Sequence, residues 1–131
     1  MTNLYRRGTV LAPTGPCNHL HIICNDPVHY AINGCACVLA VNISTAYPGR
    51  TFDTACILSA GEHAFIHHDS YVVYREAVIW QVPNVIARIQ GGEIVSHEDM
   101  REPVFARVLS GFDISEQVLP KIHKFYRNFC I

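Results

Sequence analysis

The sequence lacks long apolar runs and has few charged residues. No stretch approaches the roughly 20 apolar residues that a membrane-spanning helix requires, and the segment from Met1 to Arg7 has no apolar core of the kind found in signal peptides. Charged residues make up 16% of the chain and hydrophobic residues 50%, a balance that favours a packed interior over disorder. We therefore expect a cytoplasmic protein without membrane association, folded as one domain over residues 1–131.

An excess of either charge is also missing. Lys and Arg number 10 against 11 Asp and Glu, so the formal net charge is −1. A generally basic surface for nucleic acid is therefore excluded, and any RNA binding must be local. The eight histidines are the unusual part of the composition, because histidine gains or loses its charge near neutral pH.

The spacing of a zinc knuckle is absent as well. Six cysteines are present, but a single residue separates Cys35 from Cys37 and no second pair accompanies them. Cys24, Cys37 and Cys56 stand among apolar residues of strand-like segments, which is typical of buried free thiols in a reducing compartment. We expect no metal centre and no cofactor.

The pattern along the chain predicts a β-rich core over residues 7–82. Strands are predicted at 7–12, 19–25, 34–43, 56–58 and 70–81. The segment 34–43 is apolar on both faces, so we expect it at the centre of the sheet. A flexible loop is predicted over 13–18, where Pro and Gly are dense. Several short strands separated by turns favour a small antiparallel barrel or a strongly curved sheet.

Beyond residue 82 the apolar spacing becomes helical. Three segments with this spacing predict a short helix at 85–89, one that starts at Ser96 or at Pro103, and one capped by Ser115 that runs to Asn128. A brief strand is predicted at 94–95. The fold class expected is therefore mainly β with α, with a helical C-terminal extension over 83–131.

Four segments occur in a recognisable order: 7–10, 19–26, 41–45 and 69–74. Their order and composition resemble the PemK/MazF-like toxins of bacterial toxin–antitoxin systems, over about residues 7–82. The resemblance implies a small SH3-like antiparallel β-barrel. It also implies a homodimeric endoribonuclease that binds and cuts single-stranded RNA without a metal and is covered by a cognate antitoxin protein. The family usually carries Arg-Pro at the head of the second strand, where this chain has Asn18 and His19.

Metal-independent RNA cleavage needs a base near the 2′-hydroxyl, an acid near the leaving 5′-oxygen, and polar groups around the phosphate. By position, the resemblance implies that His19 acts as base or acid, Ser44 orients the phosphate and Arg75 stabilises the developing charge. We expect six further residues to contact RNA: His21, Thr45, Tyr47, Arg50, His68 and Asp69. The face bearing His19 and the loops 44–54 and 62–69 would form the groove.

Other interpretations of these residues remain open. His19, Ser44 and Arg75 can equally be ordinary surface residues that maintain solubility. The cluster formed by His63, His67, His68 and Asp69 could ligate zinc or manganese in a metal-dependent hydrolase. Cys17 could be a nucleophile. The chain could also be a non-catalytic SH3-like barrel that acts as a protein-interaction module through its helical tail.

Overall fold

The computed structural model describes residues 4–131, in which eight strands form one antiparallel sheet. The first three residues, on which the signal-peptide expectation partly depends, lie outside this range. The strands are β1 (Thr9–Thr14), β2 (Cys17–Ile23), β3 (Val28–Tyr30), β4 (Cys35–Thr45), β5 (Ile57–Leu58), β6 (Ser70–Val72), β7 (Val78–Gln81) and β8 (Val95–His97). Their order in the sheet is β5–β6–β4–β2–β1–β8, and β3 and β7 also pair with β4.

The longest strand, β4, is the centre of the sheet. It pairs with β2, β3, β6 and β7 along its 11 residues. Residues 37–43 of this strand are buried whichever face they point to, as expected of a segment that is apolar on both sides. The prediction of a central strand at 34–43 is confirmed.

The prediction of a flexible loop over 13–18 is wrong. The strands β1 and β2 instead continue to a tight hairpin, with Pro13 paired to Asn18 and Thr14 paired to Cys17. Gly15 makes the turn with a φ of 61°, a backbone conformation that L side chains rarely adopt. Pro13 is tolerated because β8 pairs with β1 only at residues 9–11, which leaves the outer edge free beyond that point.

The single strand predicted over 70–81 is divided in two. A 3₁₀ turn over Tyr74–Glu76 separates β6, which pairs with the end of β4, from β7, which pairs with its beginning. The buried Tyr74 side chain explains the interruption, because its hydroxyl donates a hydrogen bond to the carbonyl oxygen of Val108 at 2.7 Å. Gly111 lies against the same ring, where a Cβ atom would overlap it.

Three helices follow β7, and β8 lies between the first two of them: α1 (Val82–Gln90), α2 (Glu102–Ile114) and α3 (Pro120–Phe129). Each has a proline in its first turn, where the missing N–H is not needed, and none has a side-chain N-cap. The prediction that Pro103 sets the start of the second helix is confirmed. Ser96 and Ser115 do not cap helices as predicted, since Ser96 lies in β8 and Ser115 follows the end of α2.

The helices cover both faces of the sheet. Leu20, Leu39 and Val41 pack on one face with side chains of α2 and α3 such as Phe105 and Phe125. The opposite face packs its own apolar residues against α1, through Val82 and Val85 among others. The helical extension thus buries the sheet that precedes it.

The sheet is open, because its terminal strands β5 and β8 do not pair with each other in residues 4–131. The predicted class, mainly β with α, is confirmed by this antiparallel sheet and its three helices. Closure into an SH3-like barrel is not confirmed.

Candidate functional site

A concentration of polar side chains surrounds a cavity where β4 ends. A chamber of about 340 Å³ is bounded there by residues 18–20 of β2, residues 43–45 of β4 and residues 65–68 of a loop, together with Tyr47 and Ser70. We call it the inner chamber. Its lining combines three histidines with four hydroxyl-bearing side chains and four apolar residues, and its volume is within the range of small-molecule sites.

Two further cavities adjoin the inner chamber. One of about 300 Å³ is lined by residues 45–48, His68 and Asp69, and one of about 430 Å³ by residues 46–50, Phe52 and Asp69 among others. We call these two the outer groove. Tyr47 lines all three cavities, so the inner chamber and the outer groove form one continuous depression, which we call the groove.

His19 forms part of the inner wall. It lies on β2 opposite Ala12 of β1. Its Nδ1 atom is shielded from solvent, yet no hydrogen-bond partner satisfies it within residues 4–131. An unsatisfied buried ring nitrogen is uncommon, because desolvating a polar atom without a partner costs about 1–3 kcal/mol. The Nδ1 atom is not accessible to solvent, whereas the rest of the partly exposed His19 side chain lines the inner chamber. Ser44 and Thr45 lie across from it at the end of β4.

The loop that supplies the other two histidines, residues 59–69, is anchored by His63. The buried Nδ1 of His63 accepts the N–H of Phe65 at 3.0 Å, and its Nε2 lies 2.7 Å from the carbonyl oxygen of Glu98. Because Nδ1 is an acceptor, Nε2 carries the proton and donates it to Glu98. Thr9 donates to the same carbonyl oxygen at 2.6 Å. The loop is therefore tied to the β1–β8 edge of the sheet.

A second anchor comes from α2. Arg107 forms an ion pair with Glu62 and donates to the carbonyl oxygen of Ile57 at 2.6 Å. Hydrogen bonding to Arg107 lowers the pKa of Glu62, and the same bond raises the pKa of Arg107. Fixed from both sides, the loop presents His67 and His68 to the inner chamber.

His21 has a different environment from His19, although both lie on β2. His21 is only 5% exposed, and its ring lies 4.9 Å from that of Trp80, between ring centres. Its Nδ1 donates to the carbonyl oxygen of His19 at 2.9 Å, and its Nε2 lies 3.3 Å from the Thr14 hydroxyl. Burial lowers the pKa of His21. It does not line the groove.

Arg75 is also outside the groove lining. It is exposed on the 3₁₀ turn that follows β6, where its neighbour Glu76 accepts a hydrogen bond from Asn42 at 3.2 Å. No local pattern predicts this turn, since residues 70–81 form one uninterrupted β-rich segment.

Tyr47 is the most accessible of the aromatic residues Tyr47, Phe52, Tyr71 and Tyr74, with 56% of its surface exposed. Phe52 and Tyr71 stack on each other with ring centres 4.8 Å apart, and Tyr74 is buried in the core. The guanidinium of Arg50 lies 5.4 Å from the centre of the Tyr47 ring, a cation–π contact.

The structure thus gathers seven of the predicted site residues around the groove: His19, Ser44, Thr45, Tyr47, Arg50, His68 and Asp69. His67, which the sequence suggested only as a metal ligand, also lines the inner chamber. His67 is adjacent to His68 in the loop 62–69, which the sequence already placed beside the groove, and this adjacency could have identified it.

The structure argues against His63 as a metal ligand. Both ring nitrogens of His63 are engaged in hydrogen bonds within the protein. Residues 4–131 contain no group of three or more His, Cys, Asp or Glu side chains placed to hold a metal ion.

All six cysteines are free thiols. Cys24, Cys37 and Cys56 are buried as expected, and burial raises the pKa of the Cys24 and Cys56 thiols. Cys17 is exposed at the β1–β2 hairpin and does not line the inner chamber or the outer groove.

No helix in the described part of the chain has both the length and the apolar character needed to cross a bilayer. Comparison of the chain with protein-family models, with curated proteins and with solved structures found no match in any of the three.

Proposed function

We propose that the groove binds single-stranded RNA and that the inner chamber cleaves it without a metal ion, in the manner of a PemK/MazF-like toxin. The observation that carries the proposal is the meeting of His19 from β2, His68 from the 59–69 loop and Ser44 from β4 around one chamber. Histidine serves as both acid and base near neutral pH, and hydroxyl groups can hydrogen-bond a phosphate.

In the proposed reaction, one histidine removes the proton from the ribose 2′-hydroxyl. The 2′-oxygen attacks the phosphorus, and the bond from phosphorus to the 5′-oxygen breaks as the second histidine donates a proton to that oxygen. The products are a 2′,3′-cyclic phosphate and a free 5′-hydroxyl. His19 is assigned as the base and His68 as the acid, while Ser44 orients the phosphate. Arg75 has no role in this scheme.

The resemblance to PemK/MazF-like toxins also supports proposals about the fold, the oligomeric state and the protein partner. The open sheet would be a diverged form of the SH3-like barrel, the active protein a cytoplasmic homodimer, and the groove the surface that a cognate antitoxin covers. The alternative of an interaction module that uses the helical tail is less favoured, because the apolar stripes of α2 and α3 are buried against the sheet.

The direct test is cleavage of single-stranded RNA by the purified protein in the presence of EDTA. His19→Ala and His68→Ala are each expected to slow cleavage by about 10²-fold or more, the usual contribution of general acid–base catalysis. His29→Ala is the matched control, because His29 is an exposed histidine on β3 outside the groove. The pH–rate profile should be bell-shaped, and each groove variant should lose one limb of it.

Two results would count against the proposal. Cleavage that persists undiminished in both groove variants would place the active site elsewhere. Induced expression in bacteria that leaves growth and total RNA intact would refute the toxin assignment.

A further inference from the structure

The outer groove carries chemistry that the proposed cleavage does not use. The inner chamber accounts for the acid, the base and the phosphate, whereas Tyr47, Arg50 and Asp69 line the adjoining cavities of about 300 and 430 Å³. These three residues are an aromatic ring, a cation and a carboxylate. An RNA strand that crosses the inner chamber has to continue through this space.

Tyr47 provides a stacking surface there. Its ring is 56% exposed at the edge of every cavity in the groove, whereas Phe52 and Tyr71 are already stacked on each other. Single-stranded nucleic acid is commonly held by bases that stack on exposed aromatic side chains. Arg50 adds a positive charge next to the same ring, where it can reach a backbone phosphate.

Asp69 is the acidic member of the set. Its backbone carbonyl accepts the N–H of Ala46 at 2.8 Å, which fixes the residue beside the Tyr47 loop. Its carboxylate receives no hydrogen bond from any residue in the 4–131 range. A carboxylate repels phosphate and only accepts hydrogen bonds, so an RNA that occupies this place has to offer donors to it, either N–H groups of a base or the ribose 2′-hydroxyl.

Guanine offers the best match among the four bases. Its Watson–Crick edge presents two adjacent donors, N1–H and the 2-amino group, which fit the two oxygens of one carboxylate. Adenine and cytosine present a single amino group, and uracil presents a single N–H. A two-point hydrogen bond with a charged acceptor is also the stronger arrangement.

We propose that the outer groove is a guanine subsite, in which the base stacks on Tyr47, donates two hydrogen bonds to Asp69 and has its neighbouring phosphate next to Arg50. The proposal rests on the assignment of the groove as an RNA site and adds base preference to it. Cleavage would then be directed to sequences with guanine at a fixed distance from the cut.

The test measures binding of fluorescein-labelled 2′-O-methyl oligonucleotides, which cannot be cleaved at the 2′-oxygen. The probes are oligouridylates with one central guanine, inosine, adenine, cytosine or uracil. The guanine probe is expected to bind at least roughly tenfold more tightly than the uracil probe, and inosine, which lacks the 2-amino group, should lose most of that preference.

Two variants locate the preference. Asp69→Asn replaces one acceptor with a donor, so it should remove the guanine preference while binding of the uracil probe stays unchanged or improves. Tyr47→Ala should weaken all probes by roughly tenfold, because stacking does not depend on base identity. Glu116→Gln, an exposed carboxylate outside the groove, is the charge control. Thermal melting of each variant verifies that it is folded.

The outcomes distinguish failure of the guanine subsite from failure of the proposal that the groove binds RNA. If no probe binds, the RNA assignment of the groove fails and the subsite fails with it. If all probes bind equally, RNA binding stands and the guanine subsite is overturned. If free GMP binds in an Asp69-dependent way while the oligonucleotides show no preference, the ligand is a nucleotide and the RNA subsite is likewise overturned.

Discussion

The sheet face covered by α2 and α3 and the groove contain the same residue types, but these residues differ in burial and contacts between the two regions. Phe112 in α2 is 1% exposed, with its ring centre 4.9 Å from that of Tyr74 and 5.0 Å from that of Tyr126. In the groove, Phe65 is 37% exposed and Tyr47 is 56% exposed. The contrast shows that aromatic residues near the helices hold the fold together, whereas those of the groove are accessible to a ligand.

Polar residues show the same contrast. Asp113, at the end of α2, accepts hydrogen bonds from Tyr126 at 2.8 Å and from His123 at 3.0 Å, and these bonds lower the pKa of its carboxyl. The carboxylate of Asp69 in the groove receives no hydrogen bond from residues 4–131. The Asp113 carboxylate is therefore engaged by the protein, whereas the exposed Asp69 carboxylate is open to a ligand.

The largest expected effect tests the aromatic contrast directly. Phe112→Ala should lower the free energy of unfolding by about 3–5 kcal/mol, because it removes a fully buried ring and leaves a cavity. Phe65→Ala, a matched change in the groove, should cost less than about 1.5 kcal/mol, since its ring is partly exposed and contacts His97 at 5.3 Å between ring centres. Urea unfolding measures both. Equal losses would remove the distinction between the two regions.

A smaller effect is expected at the anchor between the two regions. Glu62→Gln weakens the ion pair with Arg107, which is partly exposed, so the free energy of unfolding should fall by no more than about 1 kcal/mol. The rate of RNA cleavage should fall by a larger factor than in a control variant outside the groove, because the loop that carries His68 is less firmly held. Glu93→Gln breaks the exposed Arg88–Glu93 pair outside the groove and is the control. A loss of cleavage no greater than in this control would show that the anchor does not serve the site.

The smallest effect concerns the pH dependence of stability. Burial lowers the pKa of His21, so below the ordinary histidine pKa of about 6.5 the unfolded chain binds a proton that the folded protein excludes. The free energy of unfolding should therefore decrease as the pH falls from about 6.5 towards the lowered value. Urea unfolding at pH 7.5 and pH 5.5 measures the decrease, which His21→Phe should reduce and the exposed control His29→Gln should not. An unchanged slope in His21→Phe would assign the effect to another group.

Part of this architecture can be predicted from the sequence. Continuous apolar residues identify β4 as central, and prolines mark the helix starts, because both signals are local and have a single physical interpretation. The predicted groove between His19 and the loops 44–54 and 62–69 matches the cavities, since turn-forming residues end the strands at the same edge of the sheet.

The misplaced residues depend on distant contacts. His21 is buried because Trp80, 59 positions later in the sequence, lies next to its ring, and no pattern around His21 indicates this. Arg75 leaves the sheet because Tyr74 reaches Val108 in α2, which interrupts an otherwise continuous strand signal. The sequence suggests His63 as a metal ligand because the hydrogen bond between its ring and the carbonyl oxygen of Glu98 cannot be recognised from local sequence. The intrinsic helix or strand preference of a segment does not indicate which distant residue it will contact.

The two anchors of the 59–69 loop also bear on how the protein is made. Thr9 and His63 meet at the carbonyl oxygen of Glu98, which is 89 positions after Thr9, and Arg107 is 45 positions after Glu62. During synthesis from the N-terminus, a nascent chain has neither anchor until it extends past these residues. A fragment that stops at residue 82 contains every predicted catalytic residue but not the partners that hold the loop. The groove is therefore completed only after Glu98 and Arg107 have been synthesised.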